Sequence, residues 1–198
     1  MKRLAYLFLL CIVPAMLRAQ SYADSIKEFR KHYIEELLAE PRHPVNAVQV
    51  RDISFFPADR SYCVWAAFTP TPGGKTFLVP THSGKQKPFR DYGTLAFSIH
   101  DTAYTLHLYQ SVDLVGGAAG NAYLFLPFND FTNYESTYGG GRYIDLSVSD
   151  IKDNGVVLDF NKCYNPYCAY ADGFSCPIPP SENYLKKYIV AGEKVFRR

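Results

Sequence analysis

The chain has 198 residues, 20% of them charged and 16% aromatic, with a formal net charge of +2. That length fits one domain able to bury a core without metals or many disulfides. Sixteen tyrosines and 14 phenylalanines against two methionines favour β structure, and the small charge argues against a nucleic-acid or anionic-membrane partner.

The first residues, MKRLAYLFLLCIVPAMLRAQ, read as an export signal. Lys2 and Arg3 precede an apolar run over residues 4–13, Pro14 ends that run, and Ala19 precedes the expected cut. A run of about ten residues is too short for a membrane span, which needs roughly 20. Cys11 follows Leu10 inside it, so it belongs to the signal and is not a lipid attachment site. Residues 1–19 carry three basic side chains and no acid, and without them the formal charge is −1. The expectation is an exported protein, periplasmic or secreted, with one β-rich domain over residues 20–198 and no transmembrane segment once the signal is removed.

Residues 22–40 carry Ile26, Phe29, Ile34, Leu37 and Leu38 at helical spacing, opposite a charged face, and Pro41 stops the helix. From residue 50 the period changes to two. Residues 62–68 are apolar on both sides, as in a strand buried on both faces or covered by another element. A short strand at 76–79 follows. Leu95, Phe97 and Ile99, then Tyr104, Leu106 and Leu108, alternate on either side of Asp101-Thr102 and predict a hairpin. Residues 116–120 read as a small flexible loop, 123–128, 142–149 and 156–160 as further strands, and 185–190 as a last short strand or extended piece. Asp153-Asn154-Gly155 is a hairpin turn. About eight strands and one helix predict a mainly β fold, a single antiparallel β-barrel or a closed β-sandwich with one N-terminal amphipathic helix.

Residues 159–183, DFNKCYNPYCAYADGFSCPIPPSEN, fit neither period. Four cysteines remain after the signal. Cys168–Cys176 is the expected disulfide, closing a short loop around Gly173, with Cys63–Cys163 as a second bridge. No C-x-x-C pair and no histidine within the cluster support a metal site, and no cofactor motif occurs. Arg142 enters a strand of apolar residues and calls for a carboxylate, with Asp130, Asp145 and Asp159 as candidates. The glycines at 139–141 read as a sharp bend or as an anion-holding turn. Tyr164, Tyr167 and Tyr170 read either as packed rings or as pocket-lining hydroxyls.

GGGRYIDL, LDFNKCYNPYCAY, SCPIPPSEN and AGEKVF, in that order, closely resemble the domain of unknown function 1684 family. FFPADRSY, THSGKQKPFRDYGTLAFSI and LPFNDFT extend the resemblance over residues 50–196. It implies a bacterial protein with no established activity, and a glycine where this chain has Tyr134. It also gives weight to Asp130, Arg142, Asn161, Asn165 and Glu182. Two functions compete. The first is a non-catalytic exported β domain binding a small molecule or envelope component at a barrel mouth lined by Arg142, Tyr164 and Tyr170. The alternative is an envelope hydrolase with Asp130 and Arg142 in the site. A structural or protein-interaction role, through an apolar patch on the helix, is a third.

Overall fold

The computed structural model describes residues 2–114 and 122–197, with side chains from Ser21 onward. The loop expected at 116–120 and the side chains of the signal-like segment lie outside the described residues.

Period-two patterning delivers eight strands. They are β1 (Cys63–Pro70), β2 (Thr76–Pro80), β3 (Gln86–Ile99), β4 (Thr102–Ser111), β5 (Tyr123–Asp130), β6 (Arg142–Ser147), β7 (Gly155–Asp159) and β8 (Tyr184–Leu185). The main order is β6-β5-β4-β3-β1-β7, antiparallel throughout. β2 pairs with the first half of β3, while β8 lies parallel to the end of β5.

The sheet curls into a half-barrel and stays open, which corrects the expected closed barrel or sandwich. Its edge strands β6 and β7 do not pair with each other. The aperiodic residues after β7 occupy the opening. Tyr164 exchanges two backbone hydrogen bonds with Tyr143 on the free edge of β6, and Phe160, Cys163, Ile189 and Ala191 complete the core. Alternation specifies which residues face inward along a strand. It says nothing about whether the two edges meet.

Two tight turns explain the hairpins. His100 and Asp101, with φ of 49° and 62°, link β3 to β4, and Asp153 and Asn154, with φ of 50° and 57°, lead into β7. Both central residues of such turns need positive φ, which Asp and Asn tolerate better than most side chains.

The main core fills one face of the sheet with Leu95, Leu106, Leu108, Leu124, Leu126, Ile144 and Leu158. A second apolar cluster lies on the opposite face, built on Val79, Phe89, Tyr109, Phe125 and Tyr143. The strand buried on both faces is therefore β5, where five consecutive residues, Leu124 to Phe128, are buried. β1, expected in that role, is not: only Ala66 is buried and Trp65 is 54% exposed. The Trp65 ring lies against Gly155 of β7, where a Cβ would collide with it.

The helix α1 runs over Lys2–Ala39, so the stretch expected at 22–40 forms its second half. Among its described side chains, Ile26 and Leu37 are buried. Tyrosine hydroxyls fix the same face: Tyr22 donates to Asp159 and Tyr33 to Glu193. Among the described residues, no helix is long and apolar enough to cross a membrane.

Cys168 and Cys176 stand at disulfide distance, with Cα atoms 6.2 Å apart. Cys63 and Cys163 are free, which corrects the expected second bridge. Cys63 sits opposite Asp159 in the β1–β7 ladder. Cys163 lies beyond the 3-10 turn Phe160–Lys162, where its sulfur faces the Ala191 carbonyl. Burial pushes the Cys163 thiol up to about 11 and raises that of Cys63 as well, so neither is an activated nucleophile.

Candidate functional site

The residues singled out in the sequence divide among five separate arrangements. Asp130 and Arg142 form an ion pair at 2.8 Å whose side chains have no exposed surface. Asp130 also accepts from the Thr132 backbone and hydroxyl at 2.8 and 2.6 Å, and Thr132 bonds Thr137. Arg142 donates to the carbonyls of Ile189, Ala191 and Glu193, and its guanidinium lies over the Phe128 ring. This is a clamp that ties the 130–137 loop and the C-terminal segment to β6. Both side chains are sealed from solvent, so the Arg142 guanidinium does not stand at an open mouth as expected. The neighbouring glycines make a bend. Gly141 has a φ of 86°, and a Cβ there would strike Phe128, Asn129 and Pro179.

Asn165 and Tyr170 meet around Glu193 instead. The Glu193 carboxylate is fully buried and accepts from Tyr170 at 2.6 Å, the Asn165 backbone at 2.9 Å and Tyr33 at 3.2 Å. Burial raises its pKa to about 7 despite those donors. Asn161 belongs to a third group, bonding Asp159, the Asp59 backbone and Tyr22. Glu182 accepts from Tyr109 at 3.0 Å on the far side of the sheet.

Two of the expected ligand residues border cavities: Asp130 lies behind one of about 550 Å³ between the 129–140 loop and Tyr184 and Tyr188, with its own side chain sealed, and Tyr164 opens on another. A cleft of about 490 Å³ lies over the second apolar cluster. Its floor is Phe89, Tyr123, Phe125 and Tyr143, from β3, β5 and β6. Its outer wall is the aperiodic segment, with Tyr164, Tyr167, Phe174 and Pro177. The Cys168–Cys176 pair staples that wall, and the Tyr143 hydroxyl donates to the Pro177 carbonyl. The rings pack edge to face, Phe125 on Tyr143 at 4.7 Å and Tyr143 on Tyr164 at 5.9 Å. Lys87, Arg42 and Asp113 also line the cleft. Burial, then the nearby Arg42, lowers the pKa of Lys87.

Asp145 is the acid within the ring cluster. One carboxylate oxygen accepts from Tyr123 at 2.7 Å and the other from Tyr164 at 2.8 Å. The carboxylate is open to water on the cleft side and crowded by protein elsewhere, and that crowding raises its pKa against the two tyrosine donors. In the sequence it is one of three candidate partners for Arg142. Period two rules that out, because residues 142 and 145 point to opposite faces of one strand. The same alternation placed Tyr143 beside Asp145, and Phe125 across from it in the β5–β6 ladder. Phe89 and Phe174 gave no comparable sign.

Among the described residues, no group of three or more His, Cys, Asp or Glu side chains is placed to hold a metal ion. A search of curated proteins finds no match. The solution NMR structure of an uncharacterized protein from Haloarcula marismortui is similar, with 28% identity and a TM-score of 0.62, covering 87% of this chain and 97% of that one. The family model described as protein of unknown function (DUF1684) matches residues 49–194, which takes in the whole sheet, the clamp and most of the cleft. The chain belongs to the DUF1684 family.

Proposed function

We propose that this is an exported, non-catalytic domain that holds a small, largely apolar molecule in the aromatic cleft over β3, β5 and β6. The observation that carries the reading is the cleft itself, about 490 Å³, floored by four aromatic rings and walled by three more. That volume and that mixture of rings with a few polar groups suit a small-molecule site. Binding is favoured over catalysis because the two carboxyls with raised pKa are not arranged as an acid–base pair. Glu193 is sealed from solvent, and both oxygens of Asp145 are already held by tyrosines. Support for export comes from the N-terminal apolar run and from the Cys168–Cys176 pair, which persists in an oxidising compartment.

The test is a thermal-shift screen of the full chain against small aromatic and branched aliphatic compounds, repeated on Ser111→Trp. Ser111 ends β4 on the cleft lining, so an indole there fills the space. The expected result is a set of stabilising compounds whose effect disappears in the folded Ser111→Trp variant. Compounds that stabilise both proteins equally, or no stabilising compound at all, would sink the reading. A secreted chain beginning at Gln20 is the expected mass-spectrometric result for export, and a cell-retained chain beginning at Met1 contradicts it.

A further inference from the structure

Resting on that reading of the cleft, we infer that its ligand carries a positively charged alkylammonium group, seated against Asp145 within the ring cluster of Tyr123, Phe125, Tyr143 and Tyr164. The inference starts from an imbalance of charge. Asp145 has two hydrogen-bond donors but no cation: among the described residues no Lys, Arg or His comes within ion-pair distance of it. The other charged groups are engaged elsewhere or stand apart. Arg42 pairs with Glu40 at 2.9 Å and stacks over Tyr167 and Phe174. Lys162, which lines a smaller cavity of about 310 Å³ on the helix side of Asp145, rests its ammonium over the Phe29 ring at 5.3 Å. From α1, the charge that acts on Asp145 is Glu36, which has the same sign.

A carboxylate left in this state, among aromatic faces, attracts a cation of low hydration energy. Aromatic rings add attraction through their negative faces, and a quaternary or alkylated ammonium loses less on leaving water than a bare ammonium does. The tyrosine hydroxyls do not satisfy this demand. They fix the carboxylate's position while leaving its charge uncompensated. The same chemistry is already visible within the molecule, where Lys162 over Phe29, Lys194 over Phe56 and Arg30 over Phe55 each put a cation on a ring. An anionic ligand would instead belong at the Lys87 and Arg42 end of the cleft.

Three probes of one shape separate these cases: choline, its neutral carbon isostere 3,3-dimethylbutan-1-ol, and the anion 3,3-dimethylbutanoate. Each is titrated into the full chain and followed by amide and tyrosine NMR shifts. Choline is expected to bind at least about tenfold more tightly than the neutral alcohol, a preference within the range of a desolvated cation–ring contact. Asp145→Asn is expected to abolish that preference, and Phe125→Leu, which keeps apolar bulk and removes a ring, to cut it several-fold. Equal binding of alcohol and choline, or tightest binding of the butanoate, overturns the cation assignment and leaves the cleft reading intact. Binding of none of the three also overturns it, and the screen with Ser111→Trp then judges the cleft independently.

Discussion

Two carboxylates in this fold each hold two tyrosine hydroxyls, and they differ in what lies on their remaining side. Glu193 accepts from Tyr33 and Tyr170 in a fully buried space, with the backbone amide of Asn165 as a third donor. Asp145 accepts from Tyr123 and Tyr164, and its other side opens on a cavity. The first arrangement is complete, so it serves to dock the helix and the C-terminal segment. Neither has a cation within ion-pair distance among the described residues, and the second is the one that borders an open cleft. A tyrosine–carboxylate pair is thus a structural joint where it is closed and a candidate binding feature where it is open.

The sealed region is where substitutions should cost most. Arg142→Met leaves Asp130 buried without its cation, and the expected loss is about 3–5 kcal/mol in urea unfolding. A loss below about 1 kcal/mol would mean that the clamp is not the joint described here. The Cys168–Cys176 staple comes next. Cross-linking over a sequence separation of 8 corresponds to about 2–3 kcal/mol of chain entropy, so Cys176→Ser should lower stability by roughly that amount and loosen the outer wall of the cleft.

Glu193→Gln probes the sealed carboxylate through pH. Its pKa of about 7 in the folded chain lies above its ordinary value of 4.5, so between those values the folded state holds a proton that the unfolded state has released. Its contribution to stability is therefore complete below about pH 4.5 and is lost as pH rises through about 7. In Glu193→Gln that fall should flatten, seen as urea midpoints at about pH 5 and pH 7.5 that lie closer together than in the parent. An unchanged slope would assign the pH dependence to other groups. Asp145→Asn has the smallest expected effect on folding, below about 1 kcal/mol, because the side chain is open to water and its acceptor oxygen remains. A loss as large as that of Arg142→Met would erase the contrast between the two regions.

Much of the strand inventory was legible because alternation and turn chemistry are local. The β3–β4 hairpin and the Asp153-Asn154 turn follow directly from residue types. Closure of the sheet was not legible, since it depends on residues 160–197, whose folding is set by contacts far along the chain. The Arg142–carboxylate pairing could be anticipated from a buried guanidinium, and Asp130 was among its candidates. Its lack of any exposed surface could not, because burial of a side chain is a tertiary property. Tyr134 is instructive. It has a φ of 66°, the left-handed region that glycine enters without strain, at the position where relatives were expected to carry glycine. Asp145 shows the limit of reading charges without the pleat: it is a candidate partner for Arg142 by type, but alternation sends the two to opposite faces of β6.

The most direct measurement is chemical-shift mapping of the full chain with whichever compound gives the largest thermal stabilisation. The account predicts perturbations concentrated at Phe89, Tyr123, Phe125, Asp145 and Tyr164, with Asp130, Arg142 and Glu193 undisturbed. Perturbations centred on Asp130, Arg142 and Glu193, with the aromatic cleft silent, would contradict it.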